Sequence, residues 1–247
     1  MLTIFTMKWE RQTKGHQLPA VCDYGSEHVN KMFNMLKLNL TIPFRYVCIT
    51  DNIVGLDPDI ETIRLWDLFA DLGGCYRRLF VFSPVMKKYL GDKFISIDLD
   101  AVITGNLDEL FSLDDDFRIN EYPIHKHCYA THQYYNGGLF MMKAGARAKI
   151  WDTFYKNPQK VIDEIKKRNE GKARPELVGS DQATIAHILG EGEKTFTDKM
   201  GIYDYRLLSR NGQGKFLPTD AKIVLFPGKR DPSTELNKSP WIAENWK

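Results

Sequence analysis

The chain has 247 residues, 43% apolar and 12% aromatic, and its 34 basic and 32 acidic side chains leave a net charge of +2. This apolar content supplies one sizeable core and excludes a disordered chain. The charge is nearly balanced, and Lys87-Lys88 and Lys166-Lys167 read as solvated helix faces more readily than as a nucleic-acid-binding stripe.

Residues 2–7 alternate and are rich in β-formers, which predicts a first strand; residues 8–25 are polar and broken by Gly and Pro, which predicts a loop. From Ser26, a natural N-cap, Val29, Met32, Phe33, Leu36 and Leu40 recur at helical spacing until Pro43 ends the segment. Residues 44–50 read as a second strand, followed by an Asp51-Asn52 turn, and residues 60–65 as a third. Gly73-Gly74 opens a helical segment over 75–82 that Ser83-Pro84 interrupts. Residues 94–98, 138–142 and 222–226 are short apolar runs of the kind found in buried strands. Residues 146–155, 158–168 and 180–189 read as helices, and the turn-rich tail from 227 to 247 as coil wrapping the body. Alternating strands and helices predict an α/β architecture in a single domain over 1–247.

Cys22, Cys48, Cys75 and Cys128 show no CxxC or CxxH spacing and read as reduced, partly buried thiols. No run reaches the ~18 apolar residues needed to span a bilayer. The first nine residues lack the regions of a signal peptide, so the expectation is a soluble, cytoplasmic protein.

The run Phe94-Ile95-Ser96-Ile97-Asp98-Leu99-Asp100 ends a buried strand in two carboxylates. In strict strand geometry residues i and i+2 point the same way, so Asp98 and Asp100 could face one cation. Mg2+ and Mn2+ take carboxylate and phosphate oxygens, and a metal there could neutralise a diphosphate leaving group. Three readings compete. The acids can simply terminate a strand. They can form the DxDxV of a haloacid-dehalogenase-type phosphatase, with Asp98 as nucleophile and Asp100 as general acid. They can be the DxD of a sugar-nucleotide transferase. The phosphatase motif belongs to the first strand of its fold, whereas here some ninety residues of α/β pattern precede it, so the transferase reading is preferred.

The neighbouring residues carry a resemblance. Residues 95–111 (ISIDLDAVITGNLDELF) resemble the DxD block of GT-A glycosyltransferases of the family-eight type, the glycogenin-like and bacterial lipopolysaccharide-type enzymes. Tyr76-Arg77-Arg78-Leu79 resembles the family's basic-Leu motif, Tyr135-Asn136-Gly137-Gly138 its aromatic-Asn-x-Gly motif, and Gly179-Ser180-Asp181-Gln182 its Asp-Gln pair. Phe226-Pro227-Gly228-Lys229 with Pro240-Trp241 resembles its closing segment. Lys8-Trp9, Tyr24, Cys48-Ile49-Thr50-Asp51-Asn52 and Asp-Leu-Asp are similar to a bacterial and viral subset.

The resemblance implies a Rossmann-like mixed sheet flanked by helices, and transfer of a sugar from a nucleotide-diphosphate sugar (UDP- or GDP-linked) to an acceptor hydroxyl with retention. It implies Mn2+ or Mg2+ on Asp98 and Asp100. The donor would be met by Asp98, Leu99, Asn136, Gly137, Gly228 and Lys229, with Arg78, preferred to Arg77, at the diphosphate or the acids. Asp181 and Gln182 would lie beside the reacting sugar. Thr6 and Lys8, at the end of the first strand, are placed to meet the nucleotide, and Tyr24 either stacks on the base or is an ordinary loop aromatic. Asn136 has a rival role as a hairpin-turn residue, and Asp181 as an acid complementing a helix dipole. A degenerate sugar-nucleotide-binding module is the non-enzymatic alternative. His125, His127 and His132 suggest an acceptor-side loop in preference to zinc. Glycan, lipid-linked glycan, protein and modified DNA are all open as acceptors. One departure stands out: where relatives carry a histidine metal ligand, this chain has Leu225 and Pro227.

Overall fold

The first strand forms where β-branched and aromatic residues alternate, and it is the start of a regular βαβ run. In the computed structural model, which describes residues 1–9, 24–122, 133–170, 181–210, 212–228 and 230–247, the order begins β1 (Leu2–Lys8), α1 (Ser26–Asn39), β2 (Phe44–Thr50), β3 (Glu61–Arg64). A 3-10 segment (Tyr76–Phe82) leads to α2 (Lys87–Leu90), β4 (Lys93–Ile97), β5 (Ala101–Ile103), α3 (Asp108–Phe111) and β6 (Phe117–Glu121). Next come β7 (Tyr135–Lys143), α4 (Ala148–Lys156), α5 (Pro158–Arg168), α6 (Asp181–Leu189), β8 (Thr195–Phe196) and β9 (Ile202–Asp204). The chain closes with α7 (Tyr205–Arg210), β10 (Ile223–Leu225), α8 (Pro232–Glu235) and α9 (Pro240–Asn245).

Two compact units partition these elements: Met1–Leu65, Ile95–Asp114 and Phe196–Lys247 form the first, Trp66–Phe94 and Asp115–Thr195 the second. In the first, strand order runs β3-β2-β1-β4. β1 and β2 are parallel, in step from Leu2↔Phe44 to Lys8↔Thr50, and β2 continues parallel to β3. The single crossover between β1 and β2 is α1, which turns Val29, Met32, Met35 and Leu36 inward and stacks Phe33 on Tyr46 with centroids 5.6 Å apart. Gly25, not Ser26, caps this helix: the His28 N–H closes the first turn on the Gly25 carbonyl, and no side chain caps it. A second, three-stranded sheet has the order β5-β10-β9, with β10 antiparallel to β5 and parallel to β9.

The second unit pairs β6 antiparallel to β7, with an irregularity between Ile119 and Asn120. Eight of the nine residues of β7 are buried, which explains its unbroken apolar run from Gly138 onward. Aromatic packing fills this unit: Phe82 stacks on Phe140, Tyr76 on Phe154, and Phe80 meets Trp151 edge-on.

The tail departs from the expected coil. Asp231 accepts a hydrogen bond from Ser233 N at 2.8 Å and caps α8, with Pro232 in its first turn; Ser239-Pro240 begins α9. Trp241 and Trp246 are both buried, and Trp241 donates its indole N–H to Gly214 O at 3.0 Å. Cys48 lies in the core of β2, and burial pushes its thiol up to about 12, so it is an inert apolar filler. Among the described residues, no helix is long and apolar enough to cross a membrane.

Candidate active site

Parallel strands present their carboxyl ends on one side of a sheet, and β1 and β2 both end there in polar residues. At the end of β1, Thr6 is 1% exposed, its hydroxyl directed toward Tyr46, whose phenol burial holds well above its usual range. Lys8 is buried except for a few per cent, and its ammonium donates to the Asn52 carbonyl at 3.2 Å. Asn52 N in turn donates to Thr50 Oγ1 at 3.1 Å, so the turn after β2 is tied to the end of β1. Tyr24 meets His28 edge-on with centroids 5.1 Å apart. Its ring therefore has a protein neighbour at the entrance to α1.

β4 ends at Ile97, and the two acids stand on the turn between β4 and β5. The strand alternation expected for Asp98 and Asp100 is therefore replaced by turn geometry. The burial pattern still alternates, since Leu99 is 2% exposed while Asp98 and Asp100 are both half-buried. Anchoring Leu99 in the core directs the flanking carboxylates away from it. The Asp100 carbonyl accepts from Phe226 N at 2.9 Å, which extends the β5–β10 pairing of Ala101 with Leu225 by one step. The start of the closing segment is thus fixed to the second acid. Gly228 follows, exposed and with φ +91°, a conformation that favours glycine. Lys229 lies outside the described residues. Among the described residues no group of three or more His, Cys, Asp or Glu side chains is arranged to hold a metal ion.

In the second unit, five of the expected residues, Arg78, Asn136, Gly137, Asp181 and Gln182, come together. Asn136 sits inside β7 opposite Asn120, not in a hairpin turn, and its Oδ1 accepts from Gly138 N at 2.7 Å. Asp181 is the first residue of α6 and is 5% exposed. Its Oδ2 meets Arg78 Nε at 3.2 Å, with the two side chains 12% and 7% exposed, and Arg78 Nη2 donates to the Gly137 carbonyl at 2.9 Å. Gly137 N points at Gln182 Oε1, at 3.5 Å a long contact. A Cβ on Gly137 would lie 3.1 Å from Asp181 Oδ2, so only glycine lets the carboxylate approach the strand this closely. Asp181 is thus held by an ion pair as well as by its place at a helix start.

Arg77, the rival of Arg78, is committed elsewhere: its guanidinium bonds the Trp66 carbonyl, and Trp66 Nε1 returns a bond to Arg77 O at 2.8 Å. Tyr76 was part of the sequence motif but had no role there. It is buried, and burial together with the Asp181 charge pushes its phenol up to about 12. Gly179, Ser180, His125, His127 and His132 lie outside the described residues.

No family model and no curated protein sequence matches the chain. Solved structures do. A galactosyltransferase, LgtC, in complex with donor and acceptor sugar analogues superposes with a TM-score of 0.58 at 13% identity, covering 94% of this chain and 89% of that one. The glycosyltransferase GlyE of Streptococcus pneumoniae TIGR4 superposes at 0.57 and 13% identity over 94% of this chain, which spans 56% of GlyE. The likeness establishes the fold, the mixed α/β GT-A arrangement expected from the sequence.

Proposed function

We propose that the protein is a glycosyltransferase that moves a sugar from a nucleotide-diphosphate donor, UDP- or GDP-linked, to an acceptor hydroxyl with retention of configuration. The observation that carries this reading is the Asp98-Leu99-Asp100 turn, two half-buried carboxylates either side of a core leucine at the end of β4, within a GT-A fold.

The donor set suits a hard divalent cation, Mn2+ or Mg2+. Two carboxylates supply part of the oxygen shell, and phosphate and water oxygens complete it, since Mg2+ usually keeps several waters. When bound, such an ion neutralises the charge that develops on the departing nucleoside diphosphate. The remaining work belongs to the chain. Lys8 and Thr6 at the end of β1, with Tyr24, bound the nucleotide, while Leu99 and Gly228 offer backbone to the donor and Lys229 a cation to the diphosphate. In the second unit, Asn136 has its Oδ1 committed to Gly138, so a sugar contact falls to its amide NH2. Asp181 and Gln182 hold the transferred sugar as its bond to the diphosphate oxygen breaks. A bond to the acceptor oxygen then forms, and the acceptor's proton passes to the departing diphosphate oxygen.

Incubating the protein with Mn2+ and a panel of UDP- and GDP-sugars tests the reading. Release of nucleoside diphosphate should occur with one donor class, and Asp98→Asn or Asp100→Asn should each lower it by at least about 100-fold. Donor binding without release, with acceptors present, would instead indicate a binding module. Phosphate release from sugar phosphates, abolished by Asp98→Asn alone, would indicate the phosphatase.

A further inference from the structure

The sequence places Arg78 at the diphosphate, but the structure turns its guanidinium toward the second unit's own residues. The edge that carries Nε and Nη2 is spent on two protein acceptors, Asp181 Oδ2 at 3.2 Å and the Gly137 carbonyl at 2.9 Å. These two contacts share one plane, because the guanidinium is rigid, and a planar fork fixes both the distance and the direction of what it holds. Asp181 is confined from two other sides. Its backbone begins α6, and its carboxylate lies against the hydrogen of Gly137. With Oδ2 bound to Arg78, the second carboxylate oxygen is, among the described residues, the one left to meet a ligand.

We infer that Arg78 is a positioning residue: it acts through Asp181, aiming one carboxylate oxygen at the transferred sugar, and does not act by binding the donor diphosphate. This rests on the glycosyltransferase reading and deepens it. Holding a group within a fraction of an ångström of its productive place matters because a misplacement of about 1 Å costs on the order of 100-fold in rate. A guanidinium that bound diphosphate would leave a different signature, a weaker hold on donor and on free nucleoside diphosphate.

A double-mutant cycle separates the two. Arg78→Ala, Arg78→Lys, Asp181→Asn and the pair Arg78→Ala with Asp181→Asn are assayed for donor turnover, with kcat and KM measured apart. Each is first shown to be folded by circular dichroism and thermal unfolding. The expectation is that Arg78→Ala lowers kcat about 100-fold and changes KM for the donor by less than about 3-fold. In the Asp181→Asn background, removing Arg78 should cost less than about 3-fold more, because groups acting as a unit are not additive. Arg78→Lys, which keeps the charge and loses the fork, should be intermediate, and added guanidinium ion should restore part of the activity of Arg78→Ala. Losses that multiply, or a raised KM and weakened nucleoside-diphosphate binding with kcat preserved, overturn the inference while leaving the transferase reading intact. A wild-type protein that turns over no sugar nucleotide overturns both. If Arg78→Ala is unfolded, Arg78→Lys alone decides, through the same split between kcat and KM.

Discussion

A single methyl group is enough to probe the arrangement around Asp181. Gly137 stands in β7 with no side chain, and an alanine there would bring Cβ to 3.1 Å from Asp181 Oδ2, tighter than ordinary contact. The carboxylate must then shift or the strand must give, and either loosens the pair with Arg78. Overpacking of this kind costs about 1–3 kcal/mol. Gly137→Ala should therefore lower the unfolding midpoint modestly and reduce turnover by at least about 10-fold, a displacement well short of 1 Å being sufficient for that. Unchanged kinetics in a well-folded variant would show that Asp181 has room the geometry denies it. The neighbouring Asn136 differs in kind. Its side chain is already bonded to Gly138 N, so it braces the same stretch of strand it is expected to serve.

At the scale of elements, the pairing of β5 with β10 determines what can be added to the acid turn. Leu225 lies opposite Ala101 and is buried, whereas Pro227 is half-buried, just past the residue bonded to Asp100. Of the two positions, Leu225 and Pro227, at which the resemblance leads one to expect histidine, only Pro227 can take a polar ring without placing it in the core. Pro227→His should tighten Mn2+ binding in the absence of donor by roughly 10-fold, read by calorimetry, since each further ligand and its supporting contacts change affinity on that order. No change would place that side chain away from the acids.

Most of the elements were legible because their patterns are local. Phe44–Thr50 and Pro158–Arg168 fall where alternation and helical spacing put them. β5 and β9, three residues each, are too short to show a period, and β6, with Arg118, Asn120 and Glu121 in it, is too polar to read as buried. The tail helices did carry a signal: Asp231-Pro232 and Ser239-Pro240 each combine a capping residue with proline at the first helical position. Motif order brought Arg78, Asn136, Gly137, Asp181 and Gln182 into one list. That Arg78 pairs with Asp181 was not readable, because a contact between distant segments leaves no trace in either.

For the whole molecule, the tail that carries α8 and α9 is structural. Trp241 packs near Tyr205 and Phe226, and Tyr205, stacked on Phe226 at 4.3 Å, shares hydrogen bonds with Ser239 and Glu235. Trp241→Ala removes a buried indole and its bond to Gly214, a loss of about 3–5 kcal/mol. Set against a total stability of about 5–15 kcal/mol, that should lower the thermal midpoint by on the order of 10 °C. A shift of a degree or two would mean that the tail rests on the body without supporting it.

The three-stranded sheet also bears on how the chain matures during synthesis. Its middle strand, β10, is the last of the three to be made, yet it alone pairs with both β5 and β9. A ribosome that has finished residues 98–103 has produced the acid turn without the partner that fixes the Asp100 carbonyl, and residues 104–225 must still be translated before Phe226 arrives. A nascent chain stalled short of that point would carry both carboxylates on an untethered turn. That turn gains its tether only when β10 takes its place between β5 and β9.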